Sequence, residues 1–178
     1  MRSFAVRLLT LAMFAVGLAS VPLFAVHAGG DPPAPPADTK KEKKPGSKSS
    51  SIDDPRSLAG YRAAYATVYD RNDYALAIDQ LKALGHDDAA AVANLIGYSY
   101  RKLGDYKVSQ TWYERALKSD PNHVRTWQYY GLWQVEQGNR ESAQYHLSKI
   151  AALAGTGSEE YRSLAAALEK PPGTGLIY

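Results

Sequence analysis

The clearest pattern of apolar and polar positions lies at residues 90–123. Ala93, Ile96, Gly97 and Tyr100 fall at i, i+3, i+4 and i+7, one face of a helix. Gly104 follows Leu103, where a helix end calls for a left-handed residue, and Asp105 is suited to cap a second helix. In that helix Val108, Trp112, Ala116 and Leu117 form one stripe, and Ser109, Tyr113 and Ala116 an overlapping one. Pro121 stops it. Gly97 and Ser109 are small residues in mid-helix. Because Gly costs about 1 kcal/mol in a helix interior, its place there predicts a close approach of the two helices.

The neighbouring stretches repeat this plan. A first unit at about residues 58–89 is opened by Asp54-Pro55, with Pro55 suited to a first helical turn. Tyr61, Ala64, Tyr65 and Val68 are its stripe. Asn72-Asp73-Tyr74 stands where Gly104-Asp105-Tyr106 stands in the second unit, and Tyr65 stands at the place of Gly97. A third unit, 124–153, continues with Trp127, Tyr130, Gly131 and Gln134, then the turn Gly138-Asn139-Arg140. Ala77 and Leu81 of the first unit, and Ala143 and Leu147 of the third, match Ser109 and Tyr113. A seventh helix is expected over 158–169. Ser158 caps it, Glu159 and Glu160 suit its positive start, and Tyr161, Leu164, Ala165 and Leu168 form its apolar face. Its other face carries Arg162, Glu169 and Lys170, as a helix covering the open end of a stack requires. Pro171-Pro172 ends it, leaving a tail over 171–178.

The first 53 residues read differently. Residues 1–28 have the form of a secretory signal: Arg2 and Arg7, an apolar run from Leu8 to Val26, and Val26-His27-Ala28 as the cleavage site before Gly29. Export to a bacterial periplasm is the expectation, and an uncleaved anchor over residues 8–26 the rival. Residues 29–53 form a Pro-, Lys- and Ser-rich linker with no large apolar residue between Gly30 and Ile52, so nothing offsets the entropy of ordering it. Its lysines, Lys40 to Lys48, offer weak contact with an anionic surface, and a solvated spacer is the preferred reading.

Composition narrows the function. The formal charge of +3 resides in those first 53 residues, because residues 54–178 hold equal numbers of basic and acidic side chains. A nucleic-acid partner is therefore not expected. With Cys 0, disulfides and thiolate chemistry are excluded. His86-Asp87-Asp88 is too local to converge on one ion, and Glu159-Glu160 point to different sides of a helix. No metal, no cofactor, no catalytic residue and no enzyme activity are expected. His123 reads as a solvated loop residue and His146 as partly packed. Of the 13 Tyr and 3 Trp, Tyr61, Tyr65, Tyr100, Tyr113, Trp127 and Tyr130 are expected in the core, and Tyr69, Tyr98 and Trp133 are the candidates for exposure.

Gly97, Tyr100, Gly104-Asp105-Tyr106, Tyr113, Ala116 and Asp120-Pro121-Asn122 together resemble a tetratricopeptide repeat, a helix-turn-helix unit of 34 residues. Ser109 and Ala93 depart mildly from the family's types; Trp127 and Ala143 of the third unit restore them. The resemblance implies an all-α fold: a short right-handed solenoid of about three such repeats with a C-terminal capping helix, the whole domain spanning 54–170. It also implies a concave groove, lined by the first helix of each unit, that binds another protein or peptide. The groove positions it implies are Arg62, Tyr69, Asp70, Asn94, Tyr98, Arg101, Lys102, Arg125, Gln128 and Leu132. Tyr98 is expected to be the apolar anchor, with Arg62, Arg101 and Arg125 pairing with a partner's carboxylates. The alternative is a self-associating envelope component that uses the convex side or the end helix through Leu164 and Leu168.

Overall fold

The computed structural model describes Ile52 and residues 54–171. The signal and the linker, apart from Ile52, lie outside the described residues, as does the tail beyond Pro171. Ile52, assigned above to the linker, is partly buried against the first core cluster.

Seven helices follow one another among the described residues: α1 Pro55–Tyr69, α2 Tyr74–Ala83, α3 Ala90–Lys102, α4 Tyr106–Ser119, α5 Val124–Glu136, α6 Arg140–Ala154 and α7 Glu159–Glu169. Their starts follow local chemistry. The carboxylates of Asp54, Asp73 and Asp105 accept from the backbone N–H of Ser57, Leu76 and Val108, and Ser158 Oγ accepts from Tyr161 N–H. Each satisfies a first-turn amide that has no helical partner. Gly104 leaves the second unit's first helix with φ +82°, and Asn72 takes the same left-handed role in the first unit with φ 54°. Asn is among the few non-glycine residues that tolerate this region.

Within each unit two helices pack as a pair: α1 with α2, α3 with α4, α5 with α6. The close approach expected at Gly97 is present. A Cβ there would lie 2.9 Å from the Tyr113 ring, and Ser109 Oγ donates to Gly97 O at 2.7 Å. Tyr113, Ser109 and Ala116 are buried, whereas Val108, Trp112 and Leu117 are half-buried, so the overlapping stripe is the one that faces the core. The Tyr113 hydroxyl is buried, and desolvation pushes its pKa up to about 12 despite the pull of Arg101 nearby.

The odd-numbered helices also touch in series, α1 to α3, α3 to α5 and α5 to α7; among the described residues no two even-numbered helices do. The odd helices therefore line the inner side of the stack. Two large buried clusters form the core, one around Leu81, Val92 and Ile96, the other around Tyr113, Ile150 and Leu164, with Tyr98 packed against both, and a small third cluster joins Ala90, Ala93 and Ala116. The seventh helix closes the second cluster. Leu164 is fully buried and Leu168 nearly so, and the Arg140 guanidinium donates to the Leu168 and Lys170 carbonyls at the end of α7. Leu164 and Leu168 thus belong to the interior, while Tyr161 and Ala165 are half-buried.

Trp133 corrects another expectation. It is buried, and its indole N–H donates to Tyr106 O at 3.1 Å across the α4–α5 boundary. No helix among the described residues is long and apolar enough to cross a membrane.

The concave face as candidate functional site

One turn separates residues i and i+4 on a helix, so the odd helices present their inward side chains in levels. The lower level is Tyr69 on α1, Tyr98 on α3 and Tyr129 on α5. The Tyr69 and Tyr98 rings stack at 5.5 Å between centroids, and Tyr98 meets Tyr129 at 5.1 Å. The Tyr69 and Tyr129 hydroxyls share a hydrogen bond of 2.7 Å between residues 60 apart in sequence. Tyr74 closes edge-on against Tyr98 at 6.3 Å, and Lys102 Nζ lies over the Tyr74 ring. Desolvation raises the pKa of all three tyrosines of the level, so they remain neutral phenols. Tyr69 and Tyr98, expected to be exposed, are half-buried members of this layer. The three tyrosines meet one another across α1, α3 and α5 instead of facing solvent singly.

Arg101 lies on the same level and is buried. Its Nε and Nη2 donate to the two carboxylate oxygens of Glu136 at 2.7 and 2.8 Å, a bidentate pair between α3 and α5. A third donation, at 3.5 Å, goes to Tyr129 O. The expectation that Arg101 waits for a partner's carboxylate is overturned, because Glu136 supplies that carboxylate from within. Leu132 is likewise no groove residue: it is buried in the second core cluster. Asp70 is exposed at the end of α1.

The upper level is one turn toward the helix starts: Tyr65 on α1, Asn94 on α3 and Arg125 on α5. Tyr65 meets Tyr69 in a tilted contact at 4.4 Å between ring centroids. Its pKa is pushed up to about 12 by burial, opposed by Arg125 and reinforced by Asp70 and Glu159. The charges of α5 and α7 thus act on a phenol on α1, and the Arg125–Glu160 contact brings the start of α7 beside the concave face. Arg125 is partly exposed, and its Nη2 lies 3.5 Å from Glu160 Oε1. Asn94 is 3% exposed, and its Oδ1 has no hydrogen-bond partner; the Tyr65 hydroxyl is also buried and unpartnered. Arg62 is exposed and Gln128 half-buried on the flanking positions.

Of the ten expected groove residues, Asn94, Arg125, Gln128 and Arg62 belong to the upper level and its rim. Tyr69, Tyr98, Arg101 and Lys102 belong to the lower, internally paired level. Tyr65, Tyr129, Glu136 and Glu160 were missed. A signal for the last two was present: Glu136 stands 35 residues after Arg101, and Glu160 the same distance after Arg125, one repeat plus one residue in each case.

The histidines are accounted for locally. His86 Nε2 is 2.9 Å from Ser57 Oγ. His123, expected to be solvated, is half-buried, with Nδ1 2.6 Å from Thr126 Oγ1. His146 is buried against Trp127 and Tyr130. Among the described residues no group of three His, Asp or Glu side chains is placed to hold a metal ion.

Paired antiparallel helices, repeated with a constant turn and lining an inner face with every first helix, define a helical repeat protein. The tetratricopeptide repeat family model matches residues 90–123, so the second unit, α3 with α4, is a tetratricopeptide repeat, and the all-α stack around it is consistent with that fold. No curated protein matches it. Repeats of this family are protein-interaction modules, and in general they bind other proteins or peptides.

Proposed function

We propose that the helical domain captures a partner polypeptide segment on the upper level of its concave face, between Arg62 and Tyr65 on α1, Asn94 on α3 and Gln128 on α5. We further propose that it does so in the cell envelope, after export directed by residues 1–28. One observation carries the binding site: Asn94 Oδ1 is a buried acceptor left without a donor on an inward-facing position. A buried polar group without a partner costs about 1–3 kcal/mol, and a bound segment would supply the missing donor. The lower level is the floor of this site rather than its contact surface, since the Tyr69 and Tyr129 hydroxyls and the Arg101 guanidinium are already matched. Export rests on the basic start, apolar run and small-residue cleavage pattern of the first 28 residues.

Site-specific photo-crosslinking in cells tests the binding reading. A photoreactive residue at Arg62 or Gln128 is expected to yield adducts, and one at Tyr145, exposed on α6, is not. Adducts from position 145 alone would move the site to the even-helix side. N-terminal sequencing of the mature protein is expected to begin at Gly29; a start at Met1 in the membrane fraction would replace export and cleavage by anchoring.

A further inference from the structure

We infer that this concave site, if it is the binding site proposed above, selects an uncharged polypeptide segment and disfavours an acidic one. The charges decide it first. The two inward arginines of α3 and α5 are each matched by an acid from the next odd helix: Arg101 by Glu136 and Arg125 by Glu160. A ligand carboxylate arriving at either must displace one already held, which exchanges an internal contact for an external one and leaves Glu136 or Glu160 without its cation. At the mouth it also meets the negative field of α7, where Glu159 acts on Tyr65 and Glu160 on His123. Like charges brought together suppress binding.

The unmatched groups decide it second, and both are neutral. Asn94 Oδ1 is an amide oxygen, which only accepts; the Tyr65 hydroxyl donates or accepts. A carboxylate has no proton to give Asn94 and would face it oxygen to oxygen. A backbone N–H, or the N–H of a side-chain amide, completes Asn94, and the adjoining carbonyl can accept from Tyr65. One peptide group thus meets both needs. The tyrosine floor beneath offers ring faces to uncharged side chains on the same segment. The site so described reads neutral backbone against an aromatic floor.

The test uses the full chain and an array of short peptides blocked by N-acetyl and C-amide groups, alongside the same peptides with free C-terminal carboxylates and with Asp or Glu inserted. Blocked peptides without acidic residues are expected to dominate the bound set. Asn94→Ala is expected to weaken the tightest of them about tenfold, the worth of one good hydrogen bond. N-methylation of the one peptide N–H that meets Asn94 is expected to cause the same loss in the native protein and no further loss in Asn94→Ala. Glu160→Gln is expected to increase the share of acidic peptides retained. Should acidic or free-carboxylate peptides dominate on the native chain, with adducts still forming at positions 62 and 128, the selectivity is overturned while the site stands. Undiminished binding to Asn94→Ala, or equal losses from N-methylation in both proteins, would remove Asn94 from recognition and overturn the inference. Absence of any peptide binding, together with absence of groove adducts, would overturn both.

Discussion

The two levels of the concave face use the same helices and differ in how completely they are satisfied. On the lower level the Tyr69 and Tyr129 hydroxyls bond each other, the Arg101 guanidinium holds a carboxylate through two hydrogen bonds, and the rings stack. One turn away, an amide oxygen and a hydroxyl are buried without partners, and an arginine is held by a longer contact. The lower level ties α1, α3 and α5 together and therefore stabilises. The upper level leaves stabilisation incomplete, as a surface that binds something else must.

The largest expected effect breaks the lower level. Arg101→Ala leaves Glu136 without its cation in a mostly buried place and should cost about 3 kcal/mol, the lower end for an orphaned buried ion. A fall in denaturant midpoint with an unchanged slope checks it. A smaller effect comes from acid at the upper end, where His123 precedes α5. Burial, the main cause, holds its pKa down at about 4 instead of 6.5. The unfolded chain thus takes up the proton at a higher pH than the folded one. Stability is complete above about 6.5 and is lost as pH falls toward 4, with His146, also lowered by burial, acting in the same direction. Between pH 7 and 5 the native chain is expected to lose about 2 kcal/mol more than His123→Gln, a difference readable from paired thermal melts.

Tyr69→Phe removes one hydroxyl of the lower level, strands that of Tyr129, and should cost about 1 kcal/mol. Asn94→Leu has the smallest effect and the opposite sign. It replaces an unpartnered buried amide by an apolar group of similar size and is expected to stabilise by about 0.5–1 kcal/mol while weakening peptide capture about tenfold. If chemical denaturation shows Asn94→Leu destabilised as much as Tyr69→Phe, the two levels are equivalent and the contrast between them fails.

Periodicity and turn chemistry made the helices and their pairing legible from residues alone. Helix caps such as Asp105, left-handed positions such as Gly104 and Asn72, and close approaches such as Gly97 against Tyr113 arise within one unit, from residues near each other in the chain. The inner face was legible as a set of positions but not as a surface. Whether Tyr98 faces water or two other tyrosines depends on how tightly three units curve, and that curvature sums many side-chain contacts between units. Arg101 reads from sequence as an available cation; only the packing of α5 on α3 brings Glu136 to it. Leu132 and Trp133 turned inward for the same reason, on a helix enclosed by α3, α4, α6 and α7. Local sequence fixes a helix and its caps because their hydrogen bonds close within a few residues. Which polar groups remain unmatched is a property of the assembled stack, because each candidate partner stands a repeat or more away.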